Sequence, residues 1–307
     1  MSAPRLALAL VVVGLALVMA PAGAHAQELE PRAYSNAPVG FNFLVAGYAY
    51  SRGGLAVDPS LPVEDAKLEI HSSLFAYGRV FGLCGKSGKF DVVLPYSKLS
   101  GTATVAGEPA EREVRGFSEP RFRLSINLYG APALSLKEFG AYQKNLVIGA
   151  SVQVTAPSGQ YDSSRAVNLG NNRWSIKPDL GFSKALGAFT LDVTASATIY
   201  SDNDNYFGGK TLEQAPIYAG QAHLSYDFGR GIWASVGSTY YRGGRVTLNG
   251  DASDVELGNL RIGAILAVPI GRHHSFKLNF SRSVHTRFGS AFSIFGIGWQ
   301  YRWGAGY

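Results

Sequence analysis

The sequence predicts an all-β chain: a transmembrane, antiparallel, up-and-down β-barrel of about twelve strands, an even count of the kind bacterial outer-membrane barrels use. Three observations carry that expectation. In the stretch 188–200, Phe189, Leu191, Val193, Ala195, Ala197 and Ile199 share one parity, and Thr190, Asp192, Thr194, Ser196, Thr198 and Tyr200 the other. A period of two with one apolar face is a strand signature, and the β-branched and aromatic residues suit a pleated surface. At about 3.3 Å per residue the stretch reaches about 40 Å; tilted by about 40° it projects about 30 Å, more than a barrel's apolar band of about 25 Å. Second, the pattern recurs along the chain. Third, the connections alternate between short turns and long polar loops, as periplasmic turns and outer loops do.

Arg5, the apolar run 6–20, the breakers Pro21 and Gly23 and the small-x-small triplet Ala24-His25-Ala26 form an export signal over residues 1–26. Beyond it no apolar run reaches transmembrane-helix length, so export leaves either a soluble protein or strands that cross the membrane. Residues 27–39, with Pro31 and Pro38, read as an irregular periplasmic leader, and residues 40–307 as the barrel. The single cysteine, Cys84, excludes an internal disulfide. A charged fraction of 16%, with 37 glycines and 16 tyrosines, leans towards a barrel. The net charge of +6 comes without basic runs, which excludes a nucleic-acid surface.

Taken in order, residues 40–50 form a first strand. In 67–80, Leu68, Ile70, Leu74, Ala76 and Val80 oppose Lys67, Glu69, His71 and Ser73. A short turn around Cys84 leads to a strand at 89–104, disturbed by Pro95. Segment 107–115 carries charge on both parities and reads as exposed loop. Residues 120–128 alternate Phe122, Leu124, Ile126 and Leu128 with Arg121, Arg123, Ser125 and Asn127. Ser135 followed by Glu138 is a capping box that permits one helical turn. Strands follow at 146–156 and, after a long polar loop, at 173–186; Gly187 then closes a tight hairpin into 188–200. The amide-rich loop 201–216 precedes strands at 217–228 and 232–242. Loop 243–258 precedes strands at 260–270 and 275–285, and the last strand is 292–303. Pro95, Pro178 and Pro269 each remove a ladder donor and mark bulges or misplaced boundaries.

Because lipid demands apolar contact, the polar parity is expected to face the lumen. It gathers Arg121, Arg123, Lys177, Asp179, Asp192, Gln221, His223, Asp227, Arg261 and Lys277. Two readings stay open: these groups line a conduit and set its selectivity, or they satisfy one another in a filled interior. His223-Leu224-Ser225 resembles the His-x-Ser pair of wall-embedded lipid hydrolases. Leu224, Tyr226 and Phe228 hold the lipid parity, however, and the next strand offers no acid or amide to orient the histidine. The Asp202–Asn205 run reads as turn-forming rather than calcium-binding. His273-His274 reads as a solvated turn, and Trp174, Trp233, Trp299 and Trp303 as interfacial girdles. No cofactor or metal is expected.

Several segments together resemble a known group. Arg32-Ala33-Tyr34-Ser35-Asn36-Ala37-Pro38-Val39-Gly40, Asn168-Leu169-Gly170-Asn171-Asn172-Arg173-Trp174, Tyr240-Tyr241-Arg242-Gly243-Gly244 and Trp299-Gln300-Tyr301-Arg302-Trp303 look like the meta-pathway of phenol degradation family, over most of the mature chain. The resemblance implies an outer-membrane transporter that admits aromatic or other small hydrophobic compounds, and implies no phenol-degrading chemistry. The terminal aromatic Tyr307, with Trp303, Tyr301 and Trp299 at alternate positions, resembles an assembly signal for the barrel-assembly machinery. The expected partners are therefore outer-membrane lipid, that machinery and a small-molecule solute. The leading expectation is passive passage; the alternatives are a structural or envelope-interaction barrel with a closed lumen and, third, a lipid hydrolase.

Overall fold

The computed structural model describes residues 31–56, 63–105, 107–165 and 167–306; the segment expected to be an export signal, the connection bearing Pro59 and Pro62, and Tyr307 lie outside them. The strands are β1 (Phe41–Ala56), β2 (Val63–Leu83), β3 (Lys86–Val105), β4 (Glu108–Phe117), β5 (Arg121–Tyr129), β6 (Leu146–Thr155), β7 (Ser175–Leu186), β8 (Phe189–Tyr200), β9 (Asn203–Tyr206) and β10 (Lys210–Gln214). They continue with β11 (Ile217–Gly229), β12 (Ile232–Gly243), β13 (Val246–Leu248), β14 (Asp251–Ala252), β15 (Leu257–Ile270), β16 (His274–His285) and β17 (Gly289–Gly304). A single helical turn, α1 (Leu136–Phe139), carries the expected capping box between Ser135 and Glu138.

The long strands close into one antiparallel barrel of twelve staves. Closure is made by β1 against β17, in register from Phe41 opposite Gly304 to Ala56 opposite Gly289. β4 and β5 form one stave, because both pair with β3: Tyr96–Val105 with β4 and Gly88–Val93 with β5. The stave breaks at 118–120, beside Pro95. That proline cannot donate to a neighbour, and its carbonyl accepts from the Ser118 N–H (2.9 Å). Pro178 similarly falls at a gap in the β7–β8 ladder, between Ile176 and Asp179.

The wall is inverted relative to a soluble protein. Leu180 (57% exposed), Val236 (61%) and Phe295 (52%) stand outside, while Asp179, Asp192, His223 and Arg261 are buried inside. Exposed apolar side chains in such a continuous array need a lipid solvent, and a closed barrel leaves no backbone edge unsatisfied in it. No helix among the described residues is long and apolar enough to cross a membrane; the strands cross it.

Three expectations are corrected. In β2 the apolar parity of Leu68, Ile70, Leu74, Ala76 and Val80 faces inward, and Lys67, Glu69 and His71 face out. β2 has 21 residues, about 70 Å of strand against a lipid band of about 25 Å, so its upper outward half stands in water and can be charged. Lower down the same outward parity becomes Phe75, Tyr77, Phe81 and Leu83. Segment 107–115 is not a loop: from Glu108 on it lies in β4, whose Glu111, Glu113 and Arg115 point out above the bilayer. Its charges hid the alternation, since a strand in water needs no apolar outer face. Loops 201–216 and 243–258 contain a four-stranded sheet, β14-β13-β10-β9, around a small core of Tyr206, Leu212, Val246 and Leu248.

The short turns agree with expectation. Cys84 and Gly85 both hold positive φ (48° and 73°), as a two-residue primed hairpin turn requires, and Cys84 is exposed.

Candidate functional site

The site is the barrel's interior, built from the inward parity of the staves and from the leader. Residues 31–39, expected on the periplasmic side, lie inside the barrel. A turn closes from the Ser35 N–H to the Arg32 carbonyl (3.0 Å), and the Val39 and Gly40 N–H groups donate to Leu134 and Val80 carbonyls (2.8 and 3.0 Å). Tyr34 is buried against the wall where β6 and β7 carry glycine. A Cβ on Gly149 would lie 2.1 Å from the Tyr34 ring, and one on Gly181 2.8 Å from it. These two glycines form the hollow that seats the tyrosine.

Polar contacts hold the leader at this seat. The Tyr34 hydroxyl donates to Asp179 Oδ1. Asp179 Oδ2 accepts from Ser151 Oγ (2.5 Å) and Arg123 Nη2 (3.2 Å), and Arg123 Nε donates to Ser151 Oγ (2.9 Å). Burial and the adjacent Asp179 carboxylate push the Tyr34 hydroxyl well above its usual range, so it remains a donor at physiological pH. The Arg32 N–H donates to Asp192 Oδ2 (3.3 Å), and the Arg32 guanidinium lies 5.0 Å from the centre of the Trp233 ring. Lys277 Nζ is 5.8 Å from that ring. Trp233 is therefore a lumenal residue and not a girdle one; its parity with Ser235, Gly237 and Thr239 was the available signal.

The structure places the ten predicted inward residues as follows. Arg123, Lys177, Asp179 and Gln221 converge on a small hollow beside Ala33 of the leader. Asp192 and His223 face each other across the β8–β11 ladder, with His223 packed against Gly237. Arg121, Arg261 and Lys277 line a larger chamber. Asp227 stands apart: it is exposed near the short turn, and its Oδ1 accepts from the Gly229 N–H (2.8 Å). Ser225 shares the buried inward face of His223, away from lipid, where a wall-embedded hydrolase would not present them. Asn203 is a structural residue, donating to the Tyr161 hydroxyl and the Asn171 carbonyl (3.0 Å each).

The chamber has a volume of about 740 Å³, within the range of about 300–1,000 Å³ typical of small-molecule sites. One side is apolar, from Ile70, Leu74, Ala76 and Val80 on β2 with Val45 and Val93 on its neighbours. Beside it on β3 lie Lys89 and Asp91, an ion pair at 3.2 Å, opposite Val80 and Gly78 of β2, and the rest of the lining carries charged and amide groups such as Arg121, Asn127, Gln153 and Arg261. Both Lys89 and Asp91 escaped sequence reading because Pro95 disturbed the alternation of that strand. The leader floors the chamber. At the opposite end loop 156–174 folds inward, and Val167 and Leu169 pack against Leu68, Leu99, Val114 and Phe292. Glu119, at the break between β4 and β5, anchors this loop: its carboxylate accepts from the Asn171 N–H (2.6 Å), the Asn171 side-chain amide (2.9 Å) and the Asn172 N–H (3.1 Å).

Comparison with known proteins is consistent with this architecture. The family model described as "Putative MetA-pathway of phenol degradation" matches residues 51–295. No curated protein is significantly similar in sequence. Among solved structures, an outer membrane channel from Pseudomonas putida F1 superposes with a TM-score of 0.77 at 22% identity, over 90% of this chain and all of that one. The β domain of the Bordetella autotransporter BrkA superposes at 0.52 with 9% identity, over 85% of this chain and 99% of that one. These likenesses establish the fold, which is that of outer-membrane barrels.

Proposed function

Taking as premise that the chain belongs to the MetA-pathway of phenol degradation family, we propose that it is an outer-membrane channel for passive passage of small, predominantly apolar compounds, aromatic ones included. The observation that carries this reading is the inward apolar parity of β2: Ile70, Leu74, Ala76 and Val80 give the chamber an apolar wall that a water-filled porin lumen does not need. The shared fold with an outer membrane channel of Pseudomonas putida supports it. In this reading residues 31–39 act as a plug entering from the periplasmic side. The last strand, with Trp299, Tyr301 and Trp303 on its outer face, engages the assembly machinery. The inward charged residues hold the plug and set selectivity, and no enzymatic step is assigned.

The test is liposome swelling with purified protein, comparing benzyl alcohol, phenol and glucose of matched osmolarity. The expected result is faster entry of the aromatic solutes than in protein-free vesicles, with little glucose entry. Equal rates for all solutes with and without protein would instead support a closed-lumen envelope barrel. The seating of Tyr34 and the inward packing of Leu169 specifically favour that second reading.

A further inference from the structure

The chamber's charges are strongly unbalanced. Its lining includes six cationic side chains, Arg32, Lys89, Arg121, Arg123, Arg261 and Lys277, against one acidic one, Asp91. Asp179 and Asp192 lie just beyond and are engaged by Arg123 and the Arg32 N–H, so the cations remain in excess when both are included. Lys89 and Lys277 lie near the short-turn end, Arg121 and Arg261 towards the long-loop end, so positive charge runs along the chamber. A cleft lined by one sign of charge within low-dielectric walls concentrates the opposite ion, and rings of Arg and Lys select anions in pores.

Arg261 adds an independent observation. It is 2% exposed, its Nη2 donates to the Phe292 carbonyl (3.2 Å) and Ser283 Oγ (3.5 Å), both neutral acceptors. Its Nε and Nη1 are buried and have no hydrogen-bond partner among the described residues. A buried guanidinium with donors left over favours an anionic acceptor, because charge-assisted hydrogen bonds offset desolvation. Apolar side chains flank it inside the same chamber: Ile265 on its own strand, and Phe292 and Ile294 across the wall.

We propose that the chamber binds small organic monocarboxylates with an apolar body, the carboxylate on Arg261 and the body against Ile265, Ile294 and the β2 wall. A carboxylate alone would leave the apolar wall unused, and a neutral aromatic would leave the guanidinium donors unmet. This narrows the solute class of the proposed channel and rests on that reading only for the route by which the anion arrives.

Binding is measured calorimetrically on the refolded full barrel in detergent, with benzoate, benzyl alcohol and acetate as probes. Benzoate is expected to bind at least about ten-fold more tightly than either of the others, since one lacks the charge and the other the body. Arg261→Gln is expected to weaken benzoate by about ten-fold or more and leave benzyl alcohol unchanged, with Arg261→Lys recovering only part of the loss, since lysine keeps the charge and not the donor fork. Benzoate and benzyl alcohol binding alike, or a folded Arg261→Gln barrel binding benzoate as the wild type does, overturns the proposal. If Arg261→Gln does not assemble, the three-probe comparison on the wild type decides alone. Aromatic alcohols entering liposomes while benzoate shows no preference sinks this inference and leaves the channel reading intact. Benzoate binding with no solute entering sinks the channel reading instead.

Discussion

Tyr34, on the leader, donates its hydroxyl hydrogen to Asp179 on β7, tying a segment that precedes the barrel to the middle of the barrel wall. Asp179 is also held by Ser151 and Arg123 of the wall. The leader is thus seated on groups that the wall's own contacts position.

Removing the Tyr34 side chain should therefore open the barrel. Tyr34→Ala loses a buried aromatic ring, a change that costs about 3–5 kcal/mol in a packed site, and is expected to increase solute entry in liposome swelling several-fold. Tyr34→Phe keeps the ring and loses a hydrogen bond to a carboxylate, worth about 1.5–3 kcal/mol, and should give a smaller increase. Unchanged entry in Tyr34→Ala would mean that the leader does not limit passage.

Filling the tyrosine's seat should mimic its loss. A Cβ at Gly149 would fall 2.1 Å from the Tyr34 ring, so Gly149→Ala is expected to displace the leader while the β6 ladder persists. The check is the gel-mobility shift of the folded barrel, which should be retained, together with solute entry matching that of Tyr34→Ala.

The inward sense of β2 is tested by two adjacent positions. Phe75 is 53% exposed on the outer face, and Phe75→Arg places a charge in lipid at about 2–4 kcal/mol near the midplane, so assembly into membranes should fall sharply. Leu74→Asn faces the chamber; it should assemble normally and slow the entry of benzyl alcohol. The opposite pattern of assembly would show that β2 is reversed.

The outer loop depends on one carboxylate. Glu119→Ala leaves two backbone N–H groups and the Asn171 amide without their acceptor, at about 1–3 kcal/mol for each donor left buried and unsatisfied. Loop 156–174 is expected to become cleavable by added protease in intact cells, with the barrel core still resistant. Cleavage at the wild-type rate would show that Leu169 and Val167 hold the loop without Glu119.

Much of the architecture was legible because lipid and a closed ladder leave few alternatives. Period-two alternation in β5, β6, β8 and β11 identified staves and their outward faces, and Ser135 with Glu138 identified the cap of α1. Of the ten predicted inward residues, Arg121, Asp179, Asp192, His223 and Arg261 are buried in the barrel's interior, whereas Asp227 reaches solvent at its turn. Reading failed where a strand leaves the bilayer: β4 and the upper half of β2 stand in water, so their outer faces carry Lys67, Glu69, Glu111 and Glu113.

By itself the sequence determined that the chain makes a membrane wall, since side-chain parity is local and one solvent, lipid, selects its sign. Tertiary structure alone decided what fills that wall. The seating of Tyr34 between Gly149 and Gly181, the leftover donors of Arg261 and the apolar side of the chamber arise from residues far apart in the chain, brought together by closure of β1 on β17. No periodicity encodes such meetings, because they depend on which staves become neighbours across the lumen.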